Sequence, residues 1–518
     1  MAPRGSDALP TDKATKNLQE LLTGLEVLDH VGHLDTRVGG IACDSRKVVE
    51  GDLFVAIRGT RQDGGLFIED AVKRGAVAIV SEAAPPPASG IARVQVPDSR
   101  VALAGLAVHF FDHPSDRMRV IGITGTNGKT TTSLLIESIL RKAGNTVGVL
   151  GTLAYRWKGR VLKAPMTTPE SLDLQRLLHE MLQAGVTHVA MEVSSHALAL
   201  GRVMGCSFAA GVFTNLSQDH LDFHQDMESY YQAKAALFRD HLGTGHKQGV
   251  AVINRDDPYG FRLIEETASE IWSYSALRKD ARVWVKSAEL TPGGISAELY
   301  TPEGPLPVHS PLIGRLNLYN LVCAAATALA LGVERHSIVD GLAAVSSVDG
   351  RLERVALPPG VGYEVVVDYA HTPDAMVKAL TCLREMTRNR LLVVFGCGGD
   401  RDRTKRPLMG EAAARLGDVV IVTSDNPRSE VPERIIEEIV NGVRAARIPY
   451  VEPSRLPGRK KGYTVVADRK EAIRKALDWA QPGDVIFIGG KGHETYQIVG
   501  SEVLPFDDRQ VVRDFFRV

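Results

Sequence analysis

The sequence predicts an α/β protein built of three successive blocks. Three observations carry that prediction. Apolar strand-like runs alternate with helix-like segments along the chain. Its 518 residues, 44% of them apolar, suffice for about three buried cores. At residues 121–132 an apolar strand passes into a helix through a glycine-rich turn ending in Gly-Lys-Thr.

The first block, residues 1–116, has a polar leader, a strand over Asp52 to Ile57, a helix over Phe67 to Arg74 and a strand over Ala76 to Val80, with Pro85 to Pro87 as a surface turn. The second, 117–345, begins with a strand over Met118 to Ile123 and a helix over Ser133 to Ala143. It continues through a strand over Thr187 to Val193 and a helix over Ser229 to Arg239 to the helix after Asn320. The third, 346–518, carries strands over Glu364 to Val367, Leu391 to Phe395, Val419 to Thr423 and Asp484 to Ile488. Each of these ends where polar residues or glycines cluster, and open parallel sheets place ligands at such ends.

Composition narrows the partners. A formal net charge of -1 argues against nucleic acid as an electrostatic partner. Met1 to Glu20 is polar and mixed in charge, without the apolar core of an export signal. The longest apolar stretch, Leu321 to Val333, falls well short of the roughly 20 residues of a membrane span, so no membrane insertion is expected. Cys43, Cys206, Cys323, Cys382 and Cys397 are scattered and form no C-x-x-C pair, which points to the cytoplasm.

Thr124 to Thr131, Thr-Gly-Thr-Asn-Gly-Lys-Thr-Thr, reads as a nucleoside-triphosphate cradle of Gly125, Thr126, Asn127, Gly128, Lys129, Thr130 and Thr131. The two glycines let successive N–H groups point inward, Lys129 reaches the β and γ phosphates, and Thr130 offers its hydroxyl to Mg2+. The strict Walker pattern requires glycine where Ile123 stands, so this is a tighter variant. No Asn-Lys-x-Asp guanine signature follows, which disfavours a GTPase switch.

Two further positions carry alternative readings. Glu192, at the end of the strand through Val189 to Met191, is either a Mg2+ carboxylate or a rim or capping carboxylate. Beyond it, Thr214 to His224 is dense in metal-capable groups. Lys234 lies on the apolar face with Tyr230, Ala233, Leu237 and Phe238, and therefore points inward. Such a lysine either covers apolar surface with its stem or is desolvated enough to be neutral and to add carbon dioxide as a metal-binding carbamate.

The chain resembles the Mur ligases, ATP-dependent amide-forming enzymes of peptidoglycan precursor synthesis, over all three blocks. The resemblance rests on Cys-Asp-Ser-Arg (Cys43 to Arg46), Gly-Asp-Leu-Phe-Val-Ala (Gly51 to Ala56), the phosphate loop, Thr-Thr-Pro (Thr167 to Pro169), Met-Glu-Val-Ser-Ser-His (Met191 to His196) and Gln-Ala-Lys-Ala (Gln232 to Ala235). It continues through Asn-Leu-Tyr-Asn (Asn317 to Asn320), Gly-Arg-Leu-Glu (Gly350 to Glu353), Asp-Tyr-Ala-His-Thr-Pro (Asp368 to Pro373) and Gly-Lys-Gly-His-Glu (Gly490 to Glu494). Gly-Gly-Asp-Arg-Asp (Gly399 to Asp402) and Asp-Asn-Pro-Arg (Asp425 to Arg428) resemble the members that add the third peptide residue, the latter in its meso-diaminopimelate form.

The resemblance implies a three-domain architecture with a central P-loop ATPase-like domain and a C-terminal Rossmann-like domain. It implies a monomeric ligase joining meso-diaminopimelate to the D-Glu carboxylate of UDP-N-acetylmuramoyl-L-Ala-D-Glu through an acyl phosphate. The UDP-substrate would contact Ser45, Thr167, Thr168, Ser194 and Arg202, with Leu200 standing where some relatives carry a contacting glutamine. Thr130 and Glu192 would hold one Mg2+, His220 and carbamylated Lys234 a second, and these with Lys129 form the catalytic set. Asn317 and Asn320 would meet adenine, and Arg351, Asp368 and His371 would reach the nucleotide from the third block. Arg401, Asp425, Asn426, Pro427, Arg428, Gly490 and Glu494 would bind diaminopimelate. Arg428 could instead pair with Glu430. Competing readings are a lysine-adding relative, a folylpolyglutamate synthetase, a non-catalytic ATP-binding switch, and an oxidoreductase whose dinucleotide turn at Leu391 to Gly399 lacks the full G-x-G-x-x-G.

Overall fold

The computed structural model describes residues 15–59, 62–84, 90–243, 248–291 and 293–517. The turn expected at Pro85 to Pro87 and most of the polar leader lie outside the described residues. Three large sheets follow one another along the chain, and among the described residues two further pairs, Lys16–Asn17 with Arg37–Val38 and Tyr496–Val499 with Glu502–Pro505, form two-stranded sheets.

The first sheet has five strands in the order Asp29–Val31, Ala92–Gln95, Ala78–Ser81, Asp52–Val55, Gly40–Ala42, parallel except at the Asp29–Val31 edge. The second has eleven strands. At its centre Val147–Leu150, His188–Glu192, Arg119–Thr124, Phe208–Phe213 and Val250–Asn254 lie side by side and parallel. Antiparallel hairpins extend both of its ends. The third sheet runs Glu353–Arg354, Glu364–Asp368, Val485–Gly489, Leu391–Phe395, Val419–Val422, Gly462–Val465, parallel apart from the first pair.

The central strands are continuous apolar runs because both faces are covered, as parallel sheets require. One face of the second sheet packs on the helices Lys129–Lys142 and Gly314–Ala330, and the other packs around Met181, Phe208, Tyr230 and Leu237. Ala324, Ala325, Ala326 and Ala328 are buried in Gly314–Ala330, and their small side chains let that helix lie close to its neighbours. Among the described residues no helix is long and apolar enough to cross a membrane.

Strand positions match the sequence pattern to within a residue or two, but two helices start earlier than expected. The helix after the phosphate loop begins at Lys129, not Ser133, because Gly128 (φ 88°) ends the loop and hands its successor directly to the helix. Propensity had obscured this start, since Thr130, Thr131 and Thr132 are β-branched. The helix expected after Asn320 begins at Gly314, so Asn317 and Asn320 both lie inside it, one turn apart.

The third block ends on a fully buried ion pair. Arg469, at the start of helix Arg469–Trp479, forks onto Asp508 of helix Asp508–Phe515 at 2.8 and 2.7 Å and also donates to the Gly489 carbonyl at 3.0 Å. Replacing Arg469 with Met strands the Asp508 carboxylate in the core. We expect a loss of about 3–5 kcal/mol in urea unfolding, most of it recovered when Asp508→Leu is added. A single-variant loss below ~1 kcal/mol would show that the pair does not hold this end of the fold.

Candidate active site

The phosphate loop joins strand Arg119–Thr124 to helix Lys129–Lys142 at the carboxyl edge of the second sheet. Gly125 (φ 140°) must be glycine: a Cβ there would lie 1.9 Å from Thr214 Oγ1. The neighbouring strand supplies the loop's scaffold. Asn215 accepts from the Thr126 N–H through its carbonyl (2.8 Å) and from the Asn127 N–H through its side chain (3.0 Å), while Thr214 Oγ1 donates to the Asn127 carbonyl (2.6 Å). Asn320 accepts from Thr132 Oγ1 (3.4 Å) and donates to Asn317 Oδ1 (3.1 Å), so the asparagine pair borders the loop at Gly128.

Two lysines meet at one carbonyl. Lys129 Nζ donates to Gly125 O and Thr126 O (2.8 and 2.9 Å), and Lys234 Nζ, fully buried, donates to Gly125 O from the other side (3.0 Å). Burial pushes the Lys129 amine below the usual lysine range, opposed by Glu192 and Asp219. For Lys234, burial and then the charge of Lys129 push the amine well below that range, against a smaller pull from Asp219. The inward direction read from helical spacing holds, in helix Met227–Asp240, with Nζ 4.6 Å above the Tyr230 ring.

Glu192 is not an N-cap. Its carboxylate is buried and accepts from Thr130 Oγ1 (3.0 Å), the Thr152 N–H (3.0 Å) and Thr152 Oγ1 (3.1 Å). Thr130 and Glu192 thus present hard oxygen donors at the helix start, a set that fits Mg2+. His220 is exposed on the loop before helix Leu221–His224, at φ 54°, with its ring 4.8 Å from that of His196 and 6.2 Å from Tyr230. Among the described residues no group of three or more His, Cys, Asp or Glu side chains forms a ready metal cage.

Thr167, Thr168, Ser194 and Arg202 gather beside Glu192. Thr168 Oγ1 donates to the Glu192 carbonyl (2.9 Å) and accepts from the Ser194 N–H (3.0 Å), Thr167 meets Thr152 (3.1 Å), and Arg202 pairs with Glu170 (2.9 Å). Ser45 is buried in the turn Ser45–Lys47 of the first block. Its neighbour Cys43 feels Asp173 and Glu170 across the block boundary, and burial first, then those charges, raise its thiol to about 11. Leu200 is half-buried and ends the helix Ser195–Ala199.

A crevice of about 510 Å3 joins these groups to the third block, lined by the loop, Glu192, Asn317, Asn320, Arg351, Asp368 and His371. Asp368 accepts from the Leu352 and Ala370 N–H groups (2.7 and 2.8 Å), although burial raises its pKa. Arg351 stacks 4.7 Å over Tyr369. Burial holds the His371 imidazole down at about 4, which keeps it neutral near pH 7. A second crevice of about 620 Å3 continues from Asp219, His220, Tyr369 and His371 to Arg401, Asp425, Asn426, Arg428, Gly490 and Glu494. Pro427 is buried under Gly399 and does not line it. Arg428 does not pair with Glu430, which is held by Arg406 (2.7 and 2.9 Å); its guanidinium donates to Gly399 O (2.7 Å).

Sequence reasoning missed Thr152, Asp374, Lys378 and Lys491, and it read Thr214, Asn215 and Ser217 only as part of a metal-capable stretch, where the structure has them bracing the phosphate loop and Asp374. Asp374 is the most consequential of them. It opens helix Pro373–Met386 in the third block, and Oδ2 accepts from Asn127 Nδ2 of the phosphate loop (3.1 Å), Ser217 Oγ (2.6 Å) and Lys378 Nζ (2.7 Å). The Pro-Asp pair after Asp-Tyr-Ala-His-Thr signalled only a helix start, and nothing in its spacing pointed to Asn127.

Comparison with known proteins agrees with this geometry. Residues 37–111 match the pattern described as Mur ligase family, catalytic domain, residues 123–328 the Mur ligase middle domain, and residues 350–492 the Mur ligase, glutamate ligase domain. The chain is 46% identical over 504 residues to the UDP-N-acetylmuramoyl-L-alanyl-D-glutamate--2,6-diaminopimelate ligase of Geobacter metallireducens, covering 96% of this chain and 98% of that one. It is 47% identical over 473 residues to the enzyme of the same name from Geobacillus thermodenitrificans (91% and 93%). A solved structure of a ligase of that name superposes with a TM-score of 0.69 at 34% identity, over 97% of this chain and 99% of the other. The fold is also shared, at 18% identity and a TM-score of 0.60, with a Mycobacterium tuberculosis folylpolyglutamate synthase complexed with ADP, over 81% and 96% of the two chains.

Asp374→Ala should lower kcat by about tenfold, equivalent to ~1.4 kcal/mol, because it unfastens the third block from the phosphate loop. The dissociation constant for ATP, measured by equilibrium titration, should change less than about threefold, since the loop N–H groups and Lys129 stay in place. An equal loss in both would mean that Asp374 supports the loop itself.

Proposed function

This chain belongs to the Mur ligase family, and we propose that it joins meso-diaminopimelate to the D-Glu carboxylate of UDP-N-acetylmuramoyl-L-Ala-D-Glu with ATP. The observation that carries the reading is the continuity of the two crevices at Tyr369, His371 and His220. A nucleotide bound at the loop and an amino acid bound at Asp-Asn-Pro-Arg would face one another there, with the UDP-substrate entering past Thr167, Thr168, Ser194 and Arg202.

A carboxylate is a poor electrophile, so ATP must convert it to an acyl phosphate before the amine attacks. The obstacle is the approach of two anions. Lys129 and the loop N–H groups supply fixed positive charge on the phosphate side. Arg351 adds a cation from the third block, and Asp368, held by two backbone N–H groups, supplies an oriented acceptor. Thr130 and Glu192 would hold Mg2+, which when bound supplies further neutralisation of phosphate charge. His371, neutral near pH 7, can accept or donate one hydrogen bond without adding charge.

Lys234 suits carbamate formation. Its neutral amine adds through the nitrogen lone pair to carbon dioxide, a C–O π pair moves to oxygen, and one proton leaves the nitrogen. The result is an anion beside Lys129, whose charge would repel an ammonium there. Lys234→Arg should lose most activity and the carbamate 13C resonance that the parent protein gives with 13C-bicarbonate. An unchanged turnover would return Lys234 to a packing role.

Arg428 supports the choice of diaminopimelate over lysine, since its guanidinium faces the second crevice and no described carboxylate pairs with it. The test offers UDP-N-acetylmuramoyl-L-Ala-D-Glu and ATP with either amino acid and follows ADP and tripeptide. The protein should use meso-diaminopimelate, and Arg428→Ala should reduce its kcat/KM by about 2–5 kcal/mol while affecting lysine far less. Failure with both amino acids would refute the assignment, and equal proportional losses would remove Arg428 from specificity.

A further inference from the structure

Lys491 lies under the second crevice and does not line it. It is fully buried, at the turn where Gly490 and Gly492 (φ 112° and 54°) carry the chain away from strand Val485–Gly489. Nζ donates to Asn426 Oδ1 and to the Tyr496 carbonyl, each at 2.8 Å, and stands 3.3 Å from Asp425 Oδ1 and 3.6 Å from Glu494 Oε2. One buried ammonium therefore touches four groups of the crevice wall from behind.

That contact fixes what the wall presents. Asn426 Oδ1 accepts from Lys491 and from the Ile498 N–H (3.0 Å), so its NH2 must turn to Glu494 Oε2, which accepts at 2.8 Å. The flipped amide would set NH2 against an ammonium and an N–H at once. Asp425 and Glu494 are two carboxylates on the same wall, and without a buried cation they would repel one another. The other ionisable groups acting on Glu494 and its neighbours are Arg428, Tyr369, Tyr496 and Arg469, the last committed to Asp508.

We propose that Lys491 is a positioning residue for amino-acid recognition: it orients Asn426 and offsets one of the two charges of the Asp425 and Glu494 pair, leaving that pair one negative charge to meet an ammonium group of the incoming amino acid. The inference rests on the reading of the second crevice as the amino-acid site. It accounts for a fully buried lysine at a place where an apolar side chain would cost less to bury. Burial and Asp425 already raise the Glu494 pKa, with Lys491 opposing them, so removal of Lys491 makes Glu494 easier to protonate.

Steady-state kinetics of the full chain with ATP, UDP-N-acetylmuramoyl-L-Ala-D-Glu and meso-diaminopimelate test this in Lys491→Met and Lys491→Gln. The KM for meso-diaminopimelate should rise at least about tenfold in the Met variant, with the KM values for the other two substrates within about twofold. The acid limb of kcat/KM for the amino acid should move to higher pH in both variants, because a neutral Glu494 binds ammonium poorly. Lys491→Gln retains a donor for Asn426, folds with less disturbance, and decides the question by its pH profile if the Met variant is insoluble. An unchanged amino-acid KM and an unchanged acid limb, whatever the melting temperature, would overturn the proposal. A parent protein that does not use meso-diaminopimelate at all would instead refute the reading of the crevice.

Discussion

The active region depends on the Gly125 carbonyl, on which two lysine nitrogens converge. Lys129 belongs to the phosphate loop and Lys234 to a helix about a hundred residues on, and their proximity makes the protonation of one a penalty on the other. Burial lowers both amines, and the charge of Lys129 lowers Lys234 further. Glu192 and Thr130 put hydrogen-bonded oxygens next to Lys129 in the same crevice, and Asn215 and Thr214 hold the loop that both lysines grip.

Much of this was legible in the sequence because strand ends and glycine turns are local. The run Ile121 to Thr132 identified the loop, and uninterrupted apolar strands such as Leu391–Phe395 identified parallel sheets. Helical spacing alone gave the inward direction of Lys234, but the lowering of its pKa by burial and then by Lys129 involves a neighbour that spacing along its own helix does not reveal. The scaffold roles were invisible for a related reason. Thr152, Thr214 and Asn215 sit next to the loop only because the sheet order sets Val147–Leu150, His188–Glu192, Arg119–Thr124 and Phe208–Phe213 side by side. Arg428 shows the opposite case: Glu430 is its obvious partner in sequence, yet a fully buried Arg406 from another helix takes that carboxylate.

On the proposed reading, recognition is divided among the three blocks. Phosphate needs backbone N–H groups at a helix start, which the second sheet's loop supplies at Lys129–Lys142. An amino acid needs partners of both signs, and on the proposed reading the third block supplies them as Arg428 and the carboxylates Asp425 and Glu494, which line one crevice. The strand end at Gly489 links this wall to the buried Arg469–Asp508 pair, so the stability of the last helices and the shape of the amino-acid wall share a support. Asp374, reaching from the third block to Asn127, connects that wall to the phosphate loop.

The central claim is that phosphate passes from ATP to a carboxylate before any amide forms. Substrate carrying 18O in the reacting D-Glu carboxylate tests it directly, with mass spectrometry of the inorganic phosphate released in turnover. An acyl phosphate requires one 18O atom to appear in each phosphate formed. Phosphate free of 18O, with both labelled atoms elsewhere, would contradict the account.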